Sequence, residues 1–96
     1  MTQEFEVRVR ANTVEEAFNH AREVAELEAP EGTAGYTGTI AEKQEFEVVP
    51  RDYSVPWDMQ LLRLRYSHPA YDNKRGPAGC LQIKTGEWVF FGCSSS

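Results

Sequence analysis

Gly79-Cys80-Leu81-Gln82-Ile83-Lys84-Thr85-Gly86-Glu87-Trp88-Val89-Phe90-Phe91-Gly92 decides the fold, because two apolar runs separated by a short polar turn are the pattern of a β-hairpin. A two-residue loop at Thr85-Gly86 sets Lys84 opposite Glu87, Ile83 opposite Trp88, Gln82 opposite Val89, Leu81 opposite Phe90 and Cys80 opposite Phe91. Strand side chains alternate between faces, so this register predicts a core face of Leu81, Ile83, Trp88 and Phe90. The other face then carries Gln82, Lys84, Glu87 and Val89 with Cys80 and Phe91. It is polar near the turn and apolar away from it, which leaves Val89 and Phe91 as expected surface residues.

Upstream of the hairpin, residues 67–79 form the longest irregular stretch, mixing His68, Tyr71, Asp72, Lys74 and Arg75 with turn-forming residues. Loops of this length inside a compact domain are often functional. Before it, Trp57-Asp58-Met59-Gln60-Leu61-Leu62-Arg63-Leu64-Arg65-Tyr66 is ambiguous, since Leu62, Leu64 and Tyr66 alternate with Arg63 and Arg65 as in a strand. Good helix formers, the absence of β-branched residues and Pro56 in a first-turn position favour a helix. That helix would carry two apolar stripes, Trp57, Leu61 and Leu64 on one side and Met59, Leu62 and Tyr66 nearly opposite. A surface helix needs one, so the second is either covered by the following loop or meets another chain.

At the start of the chain, Phe5, Val7 and Val9 alternate with Glu4, Glu6, Arg8 and Arg10, the period of a half-buried strand. Thr13-Val14-Glu15-Glu16 then reads as a capping box that opens a helix with Val14, Ala17, Phe18, Ala21, Val24 and Ala25 on one side, stopped by Pro30 and Gly32. Glu31 to Gly38 spaces glycines as a phosphate loop does, but a phosphate loop needs a strand before it and a helix after it. A helix precedes this one, so the glycines are read as turn formers. Residues 37–49 read as a strand, a turn near Gln44-Glu45, and a strand through Phe46 and Val48 ended by Pro50.

These readings predict one α+β domain over residues 1–96, with the order β-α-β-β-α-β-β. A single antiparallel or mixed sheet carries two helices on one face, and a ferredoxin-like order with an added C-terminal hairpin strand is the first expectation. The length fits one core, with about 60–70% of the unfolded surface buried and little room for an internal substrate cavity. Net charge is −5, unevenly divided: residues 1–50 carry eleven acids against four bases, residues 51–96 six bases against four acids. The acidic half disfavours general nucleic-acid binding. Without an apolar run near 18 residues, no membrane span is expected. The first residues lack the features of a signal peptide, and two cysteines are too few for a disulfide framework, so a cytoplasmic protein with free Cys80 and Cys93 is expected.

Gly35-Tyr36-Thr37-Gly38-Thr39-Ile40-Ala41-Glu42-Lys43, followed by Asp72-Asn73-Lys74-Arg75-Gly76-Pro77-Ala78 and then Phe90-Phe91-Gly92, resembles small uncharacterised proteins encoded by bacteriophages and prophages. Arg75 stands where such proteins are expected to carry tryptophan, and Cys93 where another aromatic is usual. The resemblance implies a phage-type accessory protein acting in the cytoplasm of a bacterial host, and it supplies no catalytic residues.

Candidate chemistry is sparse. Cys80, Cys93, His20, His68, Asp58 and Asp72 are the possible parts of a nucleophilic site, and only His68 with Asp72 nearby suggests one, a small hydrolase. Two scattered histidines and two cysteines lack zinc spacing, and neither metal nor cofactor is expected. Tyr66 and Tyr71 beside Arg63, Arg65, Lys74 and Arg75 offer the stacking and positive charge of a single-stranded nucleic-acid site over residues 63–75. The leading expectation is a non-catalytic interaction protein that forms a homodimer or binds a host protein. Its partner-binding residues are Met59, Leu62, Tyr66, Tyr71, Lys74, Arg75, Val89 and Phe91. On that expectation Phe91→Asp abolishes association and leaves the fold intact.

Overall fold

The computed structural model describes residues 2–28 and 39–95. The glycine-rich stretch 31–38 and the helix stop at Pro30 and Gly32 lie outside the described residues. The chain runs β1 (Thr2–Arg10), α1 (Val14–Glu28), β2 (Phe46–Val48), α2 (Trp57–Ser67), β3 (Ala78–Lys84) and β4 (Glu87–Ser95), with single 3-10 turns at Ile40–Glu42 and Pro69–Tyr71. It is a small α+β fold. The sheet order is β1-β4-β3-β2, with β4 antiparallel to both neighbours and β2 parallel to β3. The C-terminal hairpin therefore forms the middle of the sheet, and the first strand pairs with the last.

Around Thr85-Gly86 the hairpin closes as the sequence predicts, with Lys84 opposite Glu87 and Gly86 at φ 79°, the left-handed region that glycine enters without strain. One residue further on the register changes. A bulge between Gln82 and Lys84 sets Gln82 opposite Trp88, Leu81 opposite Val89, Cys80 opposite Phe90 and Gly79 opposite Phe91. A shift of one residue exchanges the faces of a strand. Leu81 and Ile83 thus share a face with Val89 and Phe91, while Cys80 shares the opposite one with Trp88 and Phe90. The expected core face was two half-faces, and both sides of the hairpin are buried.

Two cores follow from this. On one side of the sheet, Phe5, Val9, Cys80, Trp88 and Phe90 pack under Ala17, Phe18 and Ala21 of α1 and under Ile40. Phe18, Phe46 and Phe90 meet there with ring centroids 4.8 to 5.8 Å apart. The other side holds Leu81, Val89 and Phe91 beneath Leu61 of α2 and beneath Ala70 and Tyr71. The helices accordingly cover opposite faces, not one. This layering and the parallel β2–β3 pair replace the ferredoxin-like order.

Local signals fare better where they are self-contained. The Glu16 amide donates to Thr13 Oγ1 at 3.2 Å, so Thr13 caps the start of α1, the first half of the capping box as read. Residues 57–67 are helical, and the alternation of Leu62, Leu64 and Tyr66 does not make a strand. In place of the strand expected from residue 37, the described residues from 39 onward hold a 3-10 turn over Ile40–Glu42, and 37–38 lie outside the described residues. Thr39 Oγ1 accepts the Ala41 amide at 3.2 Å, Ile40 enters the core, and the Thr39 carbonyl accepts from Ser94 Oγ at 2.7 Å.

Candidate interaction surface

Trp57, Leu61 and Leu64 of α2 face the sheet, and the stripe on the far side is left to solvent. Met59 is 47%, Leu62 45% and Tyr66 84% exposed. Spaced at i, i+3 and i+7, they form an apolar line along a helix whose other face already supplies the core. Of the eight residues read as partner-binding, these three lie together on an open surface.

The others divide. Val89, Phe91 and Tyr71 are buried, and their selection as surface residues is corrected by the placement of α2 and the Pro69–Tyr71 turn over that face of the sheet. Tyr71 stacks on Phe91 with centroids 5.2 Å apart, and its hydroxyl donates to Glu6 Oε1 at 3.1 Å. Burial, then the neighbouring Glu6 carboxylate, raises the Tyr71 phenol above its ordinary range. Arg75 is exposed, whereas the Lys74 carbonyl is an acceptor in a buried anchor. That anchor is Lys43, whose ammonium donates to the carbonyls of Lys74 and Gly76, both at 2.9 Å. Burial depresses the Lys43 pKa, against the raising effects of Cys93 and Glu42. No single-sequence signal marked Lys43, because a lysine before a strand ordinarily faces water.

The aromatic and basic residues of 63–75 are also separated. Tyr71 points into the core, and Arg65 pairs with Glu6 and, at 3.8 Å, with Glu4. At the other end of α2, the Arg8 guanidinium lies 5.0 Å from the Trp57 ring centroid and donates to Glu87 Oε1 at 2.6 Å. Arg10 and Lys84 approach the same carboxylate at 3.6 and 3.7 Å. The Arg8 hydrogen bond, aided by these cations and opposed by desolvation, holds the Glu87 carboxyl below its usual range. Gln60 is a further residue missed in the sequence. Its Oε1 accepts from the Asp52 amide at 2.8 Å and from Arg51 at 3.0 Å, and its Nε2 donates to the Pro50 carbonyl at 2.8 Å. Residues 50–56 are thereby strapped to α2.

His68 serves the fold. Its Nδ1 accepts the Ala70 amide at 3.0 Å and its ring meets Phe91 edge-on at 5.4 Å, so that nitrogen is not held by Asp72. Cys80 is fully buried and unpaired, and burial pushes its thiol up from 9.0 to about 12. A thiol so placed is an inert core group. It has a consequence for stability. Below pH 9.0 the thiol is protonated in folded and unfolded chains alike; between there and about 12 the unfolded chain has lost a proton that the folded chain keeps. Stability therefore falls as the pH rises through that window, and Tyr71 adds to the fall while Lys43 opposes it. Denaturant titrations from pH 8 to 11 are expected to show the decline, with a shallower slope in Cys80→Ala.

Among the described residues no cluster of His, Cys, Asp and Glu is arranged to hold a metal ion, and no helix is long and apolar enough to cross a membrane. Compared with protein-family models, with curated proteins and with solved structures, the chain finds no match.

Proposed function

We propose that this chain acts by contact with another protein, through the outer face of α2, as a phage-type accessory protein in a bacterial cytoplasm. One observation carries the reading: Met59, Leu62 and Tyr66 remain exposed in a line on a helix whose opposite side packs on the sheet. Aromatic and methionine side chains are the types enriched at the centres of protein interfaces, and a line at this spacing suits a groove or a second helix. Exposed Arg63 on the same helix adds a positive charge beside the stripe.

The test is site-specific photo-cross-linking in bacterial cells, with the probe at position 62 or, as a control, at the outward position 23 of α1. A discrete adduct is expected at 62 alone. Leu62→Asp and Tyr66→Asp, which alter no core contact, are expected to weaken binding of the cross-linked protein by about tenfold or more each, in keeping with interface hot spots. Their melting temperatures are expected to match that of the parent. Equal cross-linking at 62 and 23, or binding indifferent to both substitutions, rejects the reading.

A further inference from the structure

We propose that β1 pairs with β1 of a second copy, antiparallel about a two-fold axis through Val7, joining two sheets edge to edge. β1 is an edge of the sheet, and among the described residues no strand lies against its outer side. The direction of its backbone groups follows from the ladder. In an antiparallel pair, residues alternate between those that exchange hydrogen bonds with the partner and those whose groups point away. The Ala11 amide bonds to the Gly86 carbonyl at 3.1 Å, so the odd-numbered residues of β1 bond to β4. The N–H and C=O groups of Glu4, Glu6, Arg8 and Arg10 therefore point out from the open edge, the arrangement that templates pairing with another chain.

What selects a second copy as the occupant is the order of charges. Glu4-Phe5-Glu6-Val7-Arg8-Val9-Arg10 is charge-complementary to its own reverse. Set antiparallel about Val7, Glu4 of one copy faces Arg10 of the other and Glu6 faces Arg8, on both sides of the axis. Phe5 falls opposite Val9, and Val7 opposite itself. Every cross-strand charge pair is thus of opposite sign, with side chains on the α2 side of the sheet, and every apolar pair lies on the α1 side. Sliding the register by two residues halves the four attractive pairs to two and sets Arg8 on Arg8 or Glu6 on Glu6 at the axis, so the pattern favours the alignment about Val7 over its neighbours. Glu6 and Arg8 already bond to Arg65 and Glu87, whereas the outer charges Glu4 and Arg10 retain capacity for new partners. Glu4 is 56% and Arg10 80% exposed in its side chain, and their partners within the chain, Arg65 at 3.8 Å and Glu87 at 3.6 Å, stand beyond hydrogen-bonding distance. Val7, only half-buried in the single chain, gains cover on the axis.

This proposal does not rest on the α2 contact, which uses a different element. Sedimentation equilibrium of the full chain tests it, together with amide exchange. A dimer is expected at micromolar concentration, and its formation is expected to slow exchange at Glu4, Glu6, Arg8 and Arg10. Glu4→Arg and Arg10→Glu are each expected to weaken dimerisation by about tenfold or more, since each turns two attractive pairs repulsive. An equimolar mixture of these two variants is expected to recover the dimer, because the altered positions then complement each other. Leu62→Asp leaves the dimer unchanged. A chain that stays monomeric up to millimolar concentration overturns the proposal. So does a dimer that is insensitive to both charge reversals, one lost in Leu62→Asp, or single variants that fail to recover on mixing.

Discussion

Phe91→Ala is expected to lower stability by about 3–5 kcal/mol, the usual range for removing a buried phenyl ring, and Phe91→Asp to leave no folded domain. Small domains have only about 5–15 kcal/mol in hand, so a carboxylate at this position exceeds what the fold tolerates. Phe91 has no exposed surface, stacks with Tyr71, meets His68 edge-on and lies over a glycine, Gly79, on the neighbouring strand. Losing it opens a cavity under both α2 and the Pro69–Tyr71 turn. Urea unfolding followed by far-ultraviolet circular dichroism measures the alanine variant. Cooperative unfolding of Phe91→Asp at the parent midpoint would show that the ring is at the surface.

Gly79→Ala is expected to cost at least about 3 kcal/mol, at or beyond the upper end of ordinary overpacking, although it adds one methyl group. A Cβ at Gly79 would lie 2.2 Å from both Cε2 and Cζ of Phe91, and neither strand has freedom to retreat because both are interior to the sheet. The two positions should therefore be coupled. In a double-mutant cycle with Phe91→Leu, which removes the obstructing ring edge, the alanine is expected to cost less than it does in the parent. Additive effects would show that the ring is not what excludes a side chain at position 79.

How far the sequence could be read depended on the range of the interaction concerned. The Thr13–Glu16 cap, the alternation of Phe5, Val7 and Val9, the helix after Pro56 and the tight turn at Thr85-Gly86 are decided by neighbours within a few residues, and the structure bears each of them out. Ile83 shows where that range ends. Nothing in its neighbours marks it as a bulge, and a bulge of one residue changed the face of every strand position beyond it. Val89 and Phe91 kept the face opposite Trp88 and Phe90 and lie in the core because α2 and the Pro69–Tyr71 turn cover that face. The second apolar stripe of α2 was legible from its spacing, but whether the following loop covered it was not; the structure leaves Met59, Leu62 and Tyr66 exposed.

Lys43, Gln60 and Glu87 illustrate the other limit. Their partners are carbonyls and guanidinium groups from distant segments, and a polar residue reveals a buried role only once those groups are assembled around it. By itself, then, the sequence determined the α+β class, most of the elements, the hairpin turn and the second apolar stripe of α2, all through periodicity and local hydrogen bonding. Only the tertiary structure decided the register beyond the bulge, the division of the helices between two faces and the placing of β1 as an open edge. Those outcomes depend on which strands meet, and in this chain the first strand's partner is the last.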